Sequence, residues 1–244
     1  MIPKKIHYCW FGRNPLPDLA KKCIDSWKRF LPDYEIVEWN EENFDVNIIP
    51  YVAEAYAAKK YAFVSDYARF WILYHYGGLY FDTDVEIIKP LDEIIARGNF
   101  MGCEALSGNV NQVNVAPGLG LGVNPGLGLL KKMLSHYQNL HFTKPDGTYN
   151  FTTIVIYTMQ VLKQYGLGDL TKVQCCADVW IYPKDYFCPL DYVTGELTIT
   201  ENTVSIHHYT ATWKTSSQKN KDRIIKFLGP RITHYIVKLK SFFR

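Results

Sequence analysis

The chain has 244 residues, of which 48% are hydrophobic and 15% aromatic; that length suits one sizeable α/β domain, and that apolar content excludes global disorder. The net charge of +3 is unevenly spread, because residues 214–244 hold nine Lys/Arg against the single acid Asp222 and so leave the body mildly acidic. The basic stretch lacks any recognisable nucleic-acid module, so no nucleic-acid partner is expected.

Lys5–Phe11 reads as a buried first strand closed by Gly12,. Pro17-Asp18 opens an amphipathic helix through Phe30, with Leu19, Cys23, Ile24 and Trp27 at helical spacing and Pro32 as its stop,. Tyr34–Trp39 alternates as a second strand, and strand–helix–strand is the usual opening of an open α/β sheet. Helices follow over Tyr51–Lys60 and Ala62–Tyr76, the second ended by Gly77-Gly78,. The β-branched and aromatic run Leu79–Ile88 then reads as one strand. Further strands are expected at Phe100–Glu104, Gly118–Val123, Val173–Cys176, Leu197–Thr200 and Val204–Tyr209. Helices are expected at Leu127–Leu140 and Thr152–Tyr165.

Phe81-Asp82-Thr83-Asp84 carries the chemistry. In a strand, residues i and i+2 share a face at roughly 6.6 Å, so Asp82 and Asp84 would converge on one divalent cation. Mn²⁺ or Mg²⁺ takes hard oxygen ligands and needs few protein groups when phosphate oxygens complete its shell. Such an ion acts as a Lewis acid toward a departing diphosphate. Upstream, Asp66 and Arg69 of Ser65-Asp66-Tyr67-Ala68-Arg69 stand at i and i+3 on a helix rich in large apolar residues,. A charged pair on a buried face needs partners.

Tyr61-Ala62-Phe63-Val64-Ser65-Asp66-Tyr67-Ala68-Arg69, followed by Tyr76-Gly77-Gly78-Leu79-Tyr80-Phe81-Asp82-Thr83-Asp84, closely resembles the core motif of glycosyltransferase family 32, the Asp-x-Asp sugar-binding transferases. That family includes bacterial capsule enzymes, and the pattern recurs in the glucosyltransferase domain of clostridial toxins. Ile6–Gly12 is similar to the family's first strand, and Ser205–Lys214 to its late metal-binding segment. Between Ala105 and Tyr192 the likeness is thin, and the Gly-rich run at 117–122 occupies the place where relatives often carry a donor-contacting Asn or Gln.

The resemblance implies a GT-A fold, a Rossmann-like open mixed α/β sheet flanked by helices, as a single domain over residues 1–214. It implies a metal-dependent transfer of a hexose from a nucleotide-diphosphate sugar, with a UDP-sugar expected, to a glycan or lipid-linked saccharide acceptor, with retention of configuration. Asp82, Asp84 and a late histidine would hold Mn²⁺ or Mg²⁺. His207 and His208 must point to opposite faces of a strand, and His207, the first of the pair, is favoured. Asp66 and Arg69 would meet the sugar hydroxyls, Trp10 the base, Ser65 and Tyr80 the donor, and Trp213 with Lys214 the diphosphate.

Residues 215–244 read as a basic amphipathic helical tail. Ile232, Tyr235, Ile236 and Leu239 share one helical face among lysines and arginines,, and residues 224–244 suit either contact with an anionic membrane or packing on the body. The six cysteines form no metal-site spacing,. Met1–Lys5 lacks the apolar run of a signal peptide, and no stretch is long enough to span a bilayer. A cytoplasmic location, peripheral at the inner face of the membrane, is therefore expected. Two alternatives are a haloacid-dehalogenase-like phosphatase, with Asp82 as nucleophile, and a non-catalytic glycan-binding protein of the same fold.

Overall fold

A computed structural model describes residues 1–106, 109–192 and 194–210. The N-terminal half runs β1 (Lys5–Cys9), α1 (Asp18–Phe30), β2 (Glu35–Trp39), α2 (Pro50–Ala57), α3 (Tyr61–Tyr76), β3 (Gly78–Tyr80), β4 (Val85–Ile87) and α4 (Asp92–Arg97). The remainder runs β5 (Phe100–Leu106), β6 (Asn109–Val115), β7 (Leu121–Val123), α5 (Gly128–Tyr137), α6 (Ile154–Lys163), β8 (Gln174–Cys176), β9 (Val179–Tyr182), α7 (Lys184–Phe187) and β10 (Ser205–His207).

Among the described residues the main sheet has eight strands in the order β2-β1-β3-β7-β5-β9-β8, with β6 paired to the second half of β5. β1 runs parallel to both β2 and β3, and β5 parallel to β9, whereas β7 is antiparallel to its two neighbours. This is the open mixed sheet expected. Apolar side chains cover both faces: one cluster joins the sheet to α2, α3, α5 and α6, the other joins it to α1, α4 and α7. Burial on both faces explains why its strands read as apolar runs more than as alternations.

Two local features set up the functional edge. His7 is fully buried in β1; its Nε2 donates to Gly77 O at 3.0 Å, and its Nδ1 accepts from Trp39 Nε1 at 3.0 Å. One neutral imidazole thus ties the second strand, the first strand and the turn before β3. Burial drives its pKa down to about 4, against the smaller raising effect of the Gly77 carbonyl,. The turn itself requires glycine: Gly78 has φ +98°, and a Cβ there would stand 2.7 Å from Lys5 O,.

The run Leu79–Ile88 is two strands, not one. After Tyr80 the chain leaves the main sheet. Asp82 N donates to Gly118 O at 2.9 Å, and Val85 N closes a turn on Asp82 O at 3.0 Å. The chain then re-enters as β4 in a separate two-stranded ribbon, antiparallel to β10. Trp27 of α1 supports this ribbon by donating from Nε1 to Val85 O at 2.7 Å.

Other expectations differ in detail. Gly118–Gly120 precede rather than form β7. Leu197–Thr200 is no strand and makes one isolated bridge, Leu190 with Leu197. The elements α4, β6, β9 and α7 were not marked in the sequence. All six cysteines are free; Cys175 is exposed and the other five are buried. No helix among the described residues is long and apolar enough to cross a membrane. Trp213, Lys214 and the tail at 215–244 lie outside the described residues.

Candidate functional site

The carboxyl ends of β1 and β3 open into a cleft of about 990 Å³, the usual place for ligands of open α/β sheets. Trp10, Ser65, Asp66, Arg69, Asp82, Asp84 and His207 all line it. The sequence therefore identified residues that the fold gathers from four separate segments.

On one wall stands Arg69, buried on α3. Its Nη2 lies 3.0 Å from Asp66 Oδ1 and 3.2 Å from Asp82 Oδ1, and its Nη1 donates to Asp82 Oδ2 at 3.4 Å. Arg69 Nε donates to Ser65 O at 3.2 Å. Its guanidinium carbon lies 4.8 Å from the centroid of the Tyr80 ring, and the Tyr80 hydroxyl donates to Asp82 Oδ1 at 3.3 Å. The ion pair inferred from i, i+3 spacing exists, and it extends to the Asp-x-Asp segment. Its geometry requires Gly118: a Cβ there would collide with the Asp82 carboxylate and lie 2.8 Å from Arg69 Nη1.

Electrostatics follows from this packing. Burial raises the Asp66 pKa to about 7, with the Arg69 charge opposing and the Asp82 charge reinforcing the rise. Asp82 is likewise raised by burial, against Arg69, with Asp84 adding to the rise. Two acids around one arginine cannot both be comfortably ionised when water is excluded.

The opposite wall is built differently. Asp84 Oδ1 lies 3.3 Å from His207 Nε2, and Asp84 Oδ2 accepts from Thr210 N and Thr210 Oγ1, each at 2.8 Å. Burial would raise its pKa, but His207 and the Thr210 donors hold it well below the usual carboxylate range. Burial alone would lower the His207 pKa; the Asp84 charge outweighs it and lifts the imidazole well above its ordinary value. Strand alternation separates the two histidines as expected: His208 Nε2 lies 2.8 Å from Glu86 Oε2, outside the cleft lining. His207 is the inward one.

Asp82, Asp84 and His207 offer two hard carboxylates and an imidazole, a donor set that suits Mn²⁺ or Mg²⁺. His207 Nδ1 is buried without a hydrogen-bond partner among the described residues. No three His, Cys, Asp or Glu side chains among those residues form a ready-made cage.

Trp10 is half-buried at the cleft edge, and its Nε1 donates to Asn14 O at 2.6 Å. Ser65 Oγ donates back to Tyr61 O at 3.1 Å. Sequence reasoning missed Glu104, Tyr209, Thr210 and the role of Gly118. Glu104 is a cleft carboxyl whose pKa burial raises, with His207 opposing. Tyr209 lays its ring 4.1 Å from that of His207 and has φ +51°. Only Gly118, within the glycine-rich run, carried a local signal.

The cleft defines an α/β ligand-binding protein whose acidic and histidine side chains meet at the strand ends. Residues 17–101, which carry Asp66, Arg69, Asp82 and Asp84, match the family described as "Glycosyltransferase sugar-binding region containing DXD motif". The chain is 32% identical over 111 residues to inositol phosphoceramide mannosyltransferase 1 of Schizosaccharomyces pombe, covering 41% of this chain and 33% of that protein. It is 28% identical over 194 residues to mannosyl phosphorylinositol ceramide synthase CSH1 of Saccharomyces cerevisiae, covering 76% of this chain and 49% of that protein. The aligned parts thus span a third to a half of these relatives. Among solved structures, PaToxG glycosyltransferase superposes with a TM-score of 0.48 at 22% identity, over 67% of this chain and 69% of that one. The matched family is described as a glycosyltransferase region, not as a phosphatase.

Proposed function

We propose that this chain is a metal-dependent glycosyltransferase that moves a hexose from a nucleotide-diphosphate sugar to a hydroxyl of a glycan or lipid-linked acceptor. The observation that carries the reading is the meeting of Arg69, Asp66 and Asp82 on one wall with Asp84 and His207 on the other, within one cleft. Family resemblance favours a UDP-sugar, and the names of the fungal relatives make mannose the first hexose to test.

In this reading Asp84, His207 and Asp82 would hold Mn²⁺ or Mg²⁺, which would supply Lewis-acid stabilisation to the departing diphosphate. Trp10 stacks on the base at the cleft edge, where its ring is half-exposed. Asp66 and Arg69 receive the sugar hydroxyls, and their mutual pairing fixes both side chains before the donor arrives. Ser65 and Tyr80 support the donor from below, and Trp213 with Lys214 steadies the diphosphate. The bond from the anomeric carbon to the diphosphate oxygen breaks, and a bond to the acceptor oxygen forms on the same face. The acceptor proton leaves with the diphosphate.

A thermal-shift panel of UDP- and GDP-hexoses, with and without Mn²⁺, tests donor and metal together, because selective binding raises the melting temperature. Asp84→Asn should lower transfer by about 10²–10³-fold, the usual scale for a group that stabilises developing charge, and should abolish the metal-dependent part of the shift. Transfer at wild-type speed by that variant would overturn the reading. NMR of the first-formed product should show retained anomeric configuration.

A further inference from the structure

Behind the Asp84 wall lies a layer of side chains that the transfer reaction does not use. Strand β10 and the residue before it are tied to α7 by two bonds, Val204 N to Tyr186 O at 2.8 Å and Ser205 Oγ to Phe187 O at 3.2 Å. Cys188, the residue after α7, is thereby brought close to His207, and its thiol is buried. The Tyr209 ring lies 4.1 Å from the His207 ring, and the Tyr209 hydroxyl stands 2.9 Å from Cys188 Sγ. That hydroxyl also bonds the Glu104 carboxyl, so it is held from two sides.

His207 shows what the layer is for. Asp84 occupies Nε2 at 3.3 Å. Nδ1 is buried without a hydrogen-bond partner among the described residues, and a buried polar atom in that position calls for an explanation. Besides burial and Asp84, the group that acts on the ring is the Cys188 thiol. With Nε2 taken, Nδ1 is the nitrogen left to meet the sulfur.

We propose that Cys188 and Tyr209 are positioning residues for the cation site, fixing the His207 ring so that Nε2 points into the cleft. An imidazole that binds an ion through one nitrogen carries its proton on the other, and the group that accepts this proton sets the tautomer and the angle of the ring. For His207 that group is the Cys188 sulfur. Tyr209 keeps the sulfur in place with its hydroxyl and blocks rotation of the imidazole with its ring. Sulfur suits the position, because it accepts an N–H weakly yet competes poorly for a hard ion such as Mn²⁺. The inference rests on the metal-dependent reading above and adds two residues outside the Asp-x-Asp segment.

Mn²⁺ alone, titrated into the full chain and followed by the EPR signal of the free ion, tests it. Serine and alanine have nearly the same volume, but only serine keeps an acceptor in place of the sulfur. Cys188→Ala and Tyr209→Phe should each weaken Mn²⁺ binding about tenfold, while Cys188→Ser stays within about twofold of wild type. A role in packing alone would move the two Cys188 variants together, and that outcome overturns the proposal. So does Mn²⁺ binding by Tyr209→Phe equal to wild type, which decides the matter should Cys188→Ala not fold. Failure of the wild-type chain to bind Mn²⁺ would instead remove the metal-dependent reading on which the inference stands.

Discussion

Asp82 and Asp84 stand one residue apart yet belong to different parts of the molecule. Asp82 leaves the end of a strand in the eight-stranded sheet and is gripped by Arg69 from a buried helix. Asp84 opens a two-stranded ribbon and is held by His207 and Thr210 from the far end of the chain. The first carboxylate is paired with a permanent cation inside the core. The second is paired with a histidine, whose place beside a carboxylate a divalent ion can share. In the proposed reading one wall of the cleft supplies fixed geometry, and the other supplies exchangeable ligation.

The largest test of that division is Arg69→Ala. It leaves Asp66 and Asp82 buried without their cation, a change that typically costs about 3–5 kcal/mol. Urea unfolding should register that loss, and donor binding should vanish with it. An unfolding midpoint close to wild type would show that the arginine wall is not an anchor. Next in size is the histidine beneath that wall. His7 has a folded pKa of about 4 against an ordinary 6.5, so between those values the unfolded chain carries a proton that the folded chain does not. Its contribution to stability is therefore full above pH 6.5 and is lost as pH falls toward 4, by roughly 3 kcal/mol in total. The difference between the stability–pH curves of wild type and His7→Gln should show this slope; parallel curves would refute the clamp. Smaller again is Gly118→Ala, expected to cost about 1–3 kcal/mol by overpacking. Because the added methyl collides with the Asp82 carboxylate, donor affinity should fall while Asp84 and His207 keep their pairing.

The sequence made the anchored wall more legible than the exchangeable one. Asp66 and Arg69 are marked by helical spacing, and the Gly-Gly stop locates the strand that delivers Asp82. The link between Arg69 and Asp82 was not legible, because it spans a turn whose glycines have no side chain to signal it. The break between β3 and β4 was hidden as well. Val85-Glu86-Ile87-Ile88 continues the β-branched run without interruption, and the bond that bends the chain, Asp82 N to Gly118 O, joins residues 36 apart. β6 is rich in Asn, a residue depleted in strands, and forms by pairing with β5. β9 reads Val-Trp-Ile-Tyr and carried an ordinary strand signal that went unmarked. Glu104 enters the cleft through tertiary packing alone. His207 was favoured by resemblance, and alternation along β10 turns it inward.

The cysteines have a practical corollary. Five thiols are shut inside the protein, while Cys175 lies open on β8, the last strand at one edge of the sheet. A thiol-directed fluorophore would thus attach at one address, well away from Trp10 and Arg69. The molecule comes with its own handle for immobilisation or distance measurements, and no engineered residue is needed.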